Sequence, residues 1–200
     1  DFGLPASIES LQPEPTRGKR LREMLAEPAR LVVESNGRPI HLDTAPPQLI
    51  TAGQAEARFT AGAASDKLRY TMTGTMIYDG FYKIDLRLHP SQPVELDRVA
   101  VEIPLPGDMA RLLFSVGEDK RKNNTAMALS QEDGVLWDSA SAARNAIVKG
   151  NFLPYVWIGS EDRGLAWMAN NDEGWILDFD EPCLEVVRRG DQAIFHINLV

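Results

Sequence analysis

Leu68 to His89 reads LRYTMTGTMIYDGFYKIDLRLH, and this stretch decides the fold. Leu68, Tyr70, Met72, Met76 and Tyr78 fall on one side of an extended chain, with Arg69, Thr71, Thr73 and Thr75 on the other. Strict alternation is the signature of a strand buried on one face. Asp79-Gly80 supplies a turn, after which Tyr82, Ile84, Leu86 and Leu88 carry the apolar side back against Lys83, Asp85, Arg87 and His89. The stretch predicts a long antiparallel hairpin with one wet face. Gly74 interrupts the outgoing strand and marks either a bulge or a close backbone approach.

Working outward, hairpin signals recur. Ala29 to Glu34 is a predicted strand, Asn36-Gly37 a tight turn and Pro39 to Leu42 the return. Thr44 to Gly53 reads as a loop around Pro46-Pro47, Glu56 to Thr60 as a strand, and Ala61 to Ser65 as a small-residue turn. Val94 and Leu96 lie on even positions, whereas Val99, Val101, Ile103 and Leu105 lie on odd ones. That switch of parity predicts a bulge or a sheet-switching bend at Asp97-Arg98. Arg111 to Val116, Val135 to Trp137, Ile176 to Phe179 and Leu184 to Arg188 are further strands, and Gly190-Asp191 turns the chain into a last one carrying Phe195, Ile197 and Leu199. Lys120 to Asn124 reads as a charged loop, and Ser139 to Lys149 as a short helix or a structured loop.

Helix-period signal is confined to Lys19 to Glu27, where Leu21, Met24 and Leu25 precede Pro28. With no longer helical segment, the fold class is mainly β: an antiparallel β-sandwich with long hairpins and at most one or two short helices. The expected organisation is an extended lead-in with a short helix over residues 1–28 and a sandwich over residues 29–200, stopping inside its last strand. The chain opens Asp1-Phe2-Gly3, which leads us to expect a processed product or an excised segment; no signal peptide is visible.

The formal charge is −8, from 29 acidic against 21 basic residues. Such a surface repels nucleic acid and anionic membranes, so neither is an expected partner. No apolar run approaches the roughly 20 residues of a membrane helix. Cys183, the single cysteine, cannot form an internal disulfide and reads as a small buried residue. His41, His89 and His196 each stand alone at strand positions, without metal-ligand spacing. No metal or cofactor is expected, and no nucleophile elbow or phosphate-cradling loop is present.

Asn151 to Trp175, NFLPYVWIGSEDRGLAWMANNDEGW, is where chemistry gathers. It holds Trp157, Trp167 and Trp175, three of the 4 tryptophans, together with Glu161, Asp162, Arg163, Asp172 and Glu173. It reads as two short strands joined by the polar turn from Gly159 to Gly164. Rings beside carboxylates suit a sugar, which stacks its C–H face on an aromatic and offers hydroxyls to acids. The bland alternative is a core hairpin with a solubilising turn, in which Arg163 is a local counter-ion. Glycoside hydrolysis needs two carboxyl groups flanking one bond, or one beside an assisting acetamido group. Adjacent turn residues point apart, so no catalytic residue is assigned.

The pattern F-x-P-Y-x-W-x-G-x-x-x-R-G-L-x-W-x-A, ending in D-x-G-W, spans Phe152 to Trp175 and resembles the N-terminal domain of proteins related to glycoside hydrolase family 123. Tyr78-Asp79-Gly80 and Val101-Glu102-Ile103-Pro104-Leu105 match as well. Met168 and Asn170-Asn171 depart from the family pattern, which has an aromatic residue and a Glu-Ser there. The resemblance implies a β-sandwich ahead of a TIM-barrel catalytic domain, in large proteins exported to the periplasm or the cell exterior. Characterised relatives are β-N-acetylgalactosaminidases whose acidic pair lies in the barrel, and that pair has no counterpart in this chain.

Three functions follow as expectations. The leading one is a non-catalytic accessory domain that packs against a downstream barrel. A free-standing carbohydrate-binding module, with Trp157, Trp167 and Trp175 as its platform, is the alternative and needs at least two of those rings exposed on one surface. An enzyme using Glu161, Asp162 and Asp172 is the third. Trp157, Glu161, Asp162, Arg163, Trp167, Asp172 and Trp175 are the candidates for contact with a glycan or a neighbouring domain.

Overall fold

The computed structural model describes residues 24–116, 125–144, 152–173, 175 and 180–199. Within them the chain is mainly β, built from antiparallel ladders, with a single short helix. It divides into two compact units, the first over Pro28–Val99 and the second over Ala100 onward together with the segment ending at Glu27.

The first unit opens with β1 (Arg30–Ser35) and β2 (Arg38–Pro39). Asn36 and Gly37 between them have φ of 54° and 66°, the left-handed pair that a two-residue hairpin needs. Then follow β3 (Asp43–Thr44), β4 (Gln48–Ala52), β5 (Glu56–Ala64), β6 (Leu68–Ile77) and β7 (Tyr82–Pro90). β5, β6 and β7 form an unbroken meander, and β3 and β4 both pair with the outer edge of β5.

The alternation of Leu68 to His89 is realised. Leu68, Tyr70 and Met72 are buried, while Arg69, Thr71 and Thr73 are exposed. Gly74 is a close approach rather than a bulge. The register runs evenly through it, and the Tyr82 ring covers the space where a Cβ would stand. Tyr78 departs from the face: it lies past the end of β6, at the turn, and is 85% exposed.

Two other expectations are corrected, and a third is decided between its alternatives. The predicted loop from Thr44 to Gly53 contains β4, because Pro46-Pro47 precedes the strand without interrupting it. The small residues Ala61 to Ala64 are strand rather than turn. Ala61 and Ala63 are buried, and Gly62 lets the Tyr70 carbonyl approach, where a Cβ would lie 2.9 Å from it. The turn begins at Ser65, whose hydroxyl accepts from the backbone N–H of Lys67 and Leu68. At Asp97-Arg98 the chain makes the sheet-switching bend rather than a bulge: Val94 and Leu96 belong to a loop, Asp97 is a bend, and the strand that starts at Arg98 belongs to a different sheet from β7. That loop is pinned by Asp97, which accepts from Gly37 N at 2.6 Å and donates its own N–H to the Glu34 carbonyl.

The second unit contains β8 (Arg98–Pro106, starting at the boundary), β9 (Leu112–Val116), β10 (Thr125–Ala128), β11 (Gly134–Asp138), α1 (Ser139–Arg144), β12 (Tyr155–Gly159), β13 (Gly164–Met168), β14 (Leu184–Arg189) and β15 (Gln192–Asn198). One sheet runs β10-β9-β12-β13; in the other, β11, β14, β15 and β8 are successive neighbours. Residues directly opposite on paired strands share a face. Leu113, Ser115, Val156 and Ile158 therefore line one buried face of the first sheet with Trp167, and Trp167 meets Phe195 of β15 edge to face at 6.4 Å. That contact joins the two sheets as layers of a sandwich.

β8 and β15 are buried on both faces, so the expected one-sided apolar strand at Phe195 and Ile197 is a fully enclosed one. His196 is 3% exposed and faces Glu102 across the ladder at 3.6 Å. Arg188 is equally enclosed. It donates to the Ser130 and Ala110 carbonyls, tying β14 to two loops. Asp138 accepts from Ser141 N at 2.6 Å and caps α1, which resolves the helix-or-loop alternative for Ser139–Arg144. The helical expectation at Lys19 to Glu27 lies partly outside the described residues, and none of 24–27 is helical. Lys120 to Asn124, 145–149 and the strand expected at Ile176 to Phe179 lie outside them.

Candidate functional site

The stretch from Phe152 to Trp175 is a hairpin, β12 and β13, with its register set by Gly159 opposite Gly164. The glycine pair has a steric reason. The Trp157 ring lies across both positions: a Cβ at Gly164 would stand 2.5 Å from the indole Nε1, and one at Gly159 would meet the same ring. The motif W-x-G-x-x-x-x-G therefore encodes a tryptophan laid flat along its own hairpin.

The turn beyond is tightly bonded. Ser160 N donates to the Arg163 carbonyl at 2.8 Å, and the Ser160 hydroxyl donates to Asp162 at 2.6 Å. Arg111 N donates to the Gly159 carbonyl, and the Arg111 guanidinium lies 3.8 Å from the Glu161 carboxylate. Arg163 reaches back to Asp108 through Nη2 at 2.7 Å, with its side chain only 11% exposed. Its Nε and Nη1 are buried and have no hydrogen-bond partner among the described residues. A buried donor left without an acceptor costs roughly 1–3 kcal/mol, so this guanidinium is only partly satisfied.

Trp167 and Trp175 occupy different surroundings. They pack edge to face at 6.2 Å, and both lie against Phe152, which is buried. None of Trp157, Trp167 and Trp175 is fully exposed, and none is fully enclosed. They form no flat shared platform: Trp167 points to the buried side of its sheet and Trp157 to the other. Trp175 N donates to the Asp172 carbonyl, closing a turn in which Glu173 N donates to the Asn171 side chain.

The carboxylates are separated. Glu161 and Asp162 sit before β13 and Asp172 and Glu173 after it, so a five-residue strand of roughly 17 Å lies between the pairs. Glycosidase carboxyl pairs lie roughly 5–10 Å apart. Two shallow hollows, of about 290 and 350 Å³, lie beside Tyr70 and Trp137, and neither is lined by any of the seven candidates. Among the described residues no three His, Cys, Asp or Glu side chains group as metal ligands, and no helix is long and apolar enough to cross a membrane.

Sequence reasoning missed the sheet face on which Trp157 lies. Three cross-strand rows make it up: Ala128, Leu112, Gly159 and Gly164; Ala126, Phe114, Trp157 and Ala166; then Val116, Tyr155 and Met168. No position in these rows carries a charge, and the Tyr155 hydroxyl and the Trp157 indole N–H are the side-chain polar groups among them. Phe114 and Tyr155 meet edge to face at 6.3 Å, and Met168 is 52% exposed. The rows join strands distant in sequence, so the signal appears only once the register is known.

No curated protein and no solved structure matches the chain. The family model for glycoside hydrolase 123, third domain, matches residues 1–175 and ends on Trp175, the last ring of the motif. With that match covering most of its length, the chain belongs to glycoside hydrolase family 123.

Proposed function

We propose that the chain is a non-catalytic accessory β domain of a multidomain glycoside hydrolase, with residues 29–200 acting together and packing against a TIM-barrel catalytic domain of the same polypeptide. The observation that carries this reading is that the reactive-looking groups of the motif are engaged locally. Glu161 lies beside Arg111, Asp162 accepts from Ser160, Arg163 holds Asp108, and Trp167 and Trp175 pack on Phe152. A catalytic pair needs two convergent carboxyl groups with room for a sugar between them. These carboxylates are divided between the two ends of a strand.

In this role Trp157, Glu161, Asp162 and Arg163 contact the neighbouring domain, and the parent acts on carbohydrate in the periplasm or outside the cell. The binding-module alternative is less favoured, because the three rings do not share a surface. The test is hydrolysis of aryl glycosides, N-acetylhexosaminides included, by the isolated chain. We expect no release above the blank; turnover that disappears in Glu161→Gln or Asp172→Asn would make the chain an enzyme. A glycan array probed with the same chain should stay unlabelled.

A further inference from the structure

We propose that the uncharged outer face of the β10-β9-β12-β13 sheet docks another domain of the parent polypeptide, with Trp157 at its centre and Arg163 at its rim. The inference rests on the accessory-domain reading and names the surface that reading requires.

Three observations converge. The first is composition. A solvated sheet face of this chain, that of Arg69, Thr71 and Thr73 opposite Arg87, Asp85 and His89, alternates charges and hydroxyls. The Trp157 face carries neither, apart from Tyr155, and Ala126, Ala128, Ala166 and Met168 on it are exposed. An apolar centre with Trp and Tyr, edged by charged residues, is the anatomy of a protein interface. The edge here is Asp108, Arg111, Glu161 and Arg163, gathered where the face ends at Gly159.

The second is Arg163. Its Nε and Nη1 are buried and have no hydrogen-bond partner among the described residues. The rim therefore keeps N–H donors that a carbonyl or carboxylate oxygen from a docked domain satisfies once the exposed Asp108 side chain above them shifts. The third is the family match, which is to a third domain, so other domains accompany this one in the same polypeptide. A tethered neighbour is present at millimolar effective concentration, an advantage that a second free copy lacks. A sugar fits this face poorly, since one tyrosine hydroxyl and one indole N–H cannot satisfy a ring of hydroxyl groups.

Thiol accessibility tests the assignment. Ala166→Cys and Met168→Cys place a probe on the face, and Thr73→Cys places one on the wet face as control; native Cys183 is 3% exposed and stays silent. Each variant is labelled with a maleimide in the isolated chain and in the intact parent. We expect labelling at 166 and 168 to slow at least tenfold in the parent, with position 73 unchanged. Adding Arg163→Gln in the parent should restore at least threefold of the lost rate. Equal rates at 166 in chain and parent would overturn the proposal. Slowing in the isolated chain that grows with its concentration would also overturn it, in favour of a second copy. Hydrolysis by the isolated chain would sink the accessory reading instead, whatever the labelling shows.

Discussion

Trp157 and the two glycines beneath it place a constraint on the hairpin that substitution can expose. A Cβ at Gly164 would stand 2.5 Å from the indole nitrogen, inside any real contact distance, so the ring must lift or the strand must shift. Overpacking of this kind costs about 1–3 kcal/mol. Gly164→Ala should therefore lower unfolding stability by that order and change the tryptophan emission, measured by urea titration with fluorescence; an unchanged midpoint would mean that the ring moves freely. Tyr82 plays the mirror role at Gly74, where its ring fills the space of the missing side chain. Burial pushes its hydroxyl up to about 12 from the ordinary 10.0. Below pH 10 both folded and unfolded chains hold the proton, and its contribution is complete. Between pH 10 and about 12 the unfolded chain releases a proton that the folded chain keeps, so stability falls as pH rises. Tyr70, also raised by burial, acts in the same direction. Tyr82→Phe should flatten the alkaline fall in urea midpoint across that window, and an equally steep fall would assign it to other groups.

Elements were legible in the sequence where a sheet is half wet and obscure where it is not. Leu68 to His89 alternates because water covers one face of β6 and β7, so period two survives in the residue types. β8 and β15 are enclosed on both faces, and there the apolar alternation conceals two buried polar residues, His196 between Phe195 and Ile197 and Glu102 between Val101 and Ile103. β4 was hidden by its prolines and β10 by its brevity and small residues. The Trp157 hairpin could be read, but the Asp108–Arg163 pair could not, since its partners lie 55 residues apart. Along the apolar face of β6 and its neighbours burial is graded. Met72 is 1% exposed, while Leu49 and Ile84, on the row that crosses Gly74, are 56% and 37% exposed. Met72→Ala should thus cost about 2–5 kcal/mol. Leu49→Thr should stay within about 0.5 kcal/mol, because no cavity forms at an exposed site. Equal losses in chemical denaturation would show that the exposed end of the face is covered in solution.

At the scale of the whole chain, topology separates two kinds of ladder. β5, β6 and β7 are consecutive and joined by tight turns, so each pairing closes a short loop. β8 pairs with β15, and the chain between Pro106 and Gln192 must be gathered before a single rung forms. Loop-closure entropy grows only slowly with length, yet it must be met before distant contacts compensate, and long-range β pairing is slow for that reason. Local hairpins form in about 1–10 μs, whereas β-sandwich ladders take milliseconds to seconds. Refolding followed by pulsed hydrogen exchange should therefore protect the amides of Tyr70, Met72 and Leu86 before those of Ile103, Phe195 and Ile197. The Trp167–Phe195 contact, which joins the two sheets of the second unit, should report the later event as a slow change in fluorescence. Simultaneous protection of both sets, or earlier protection of β8 and β15, would show that contacts between distant strands, rather than the local hairpins, nucleate the fold.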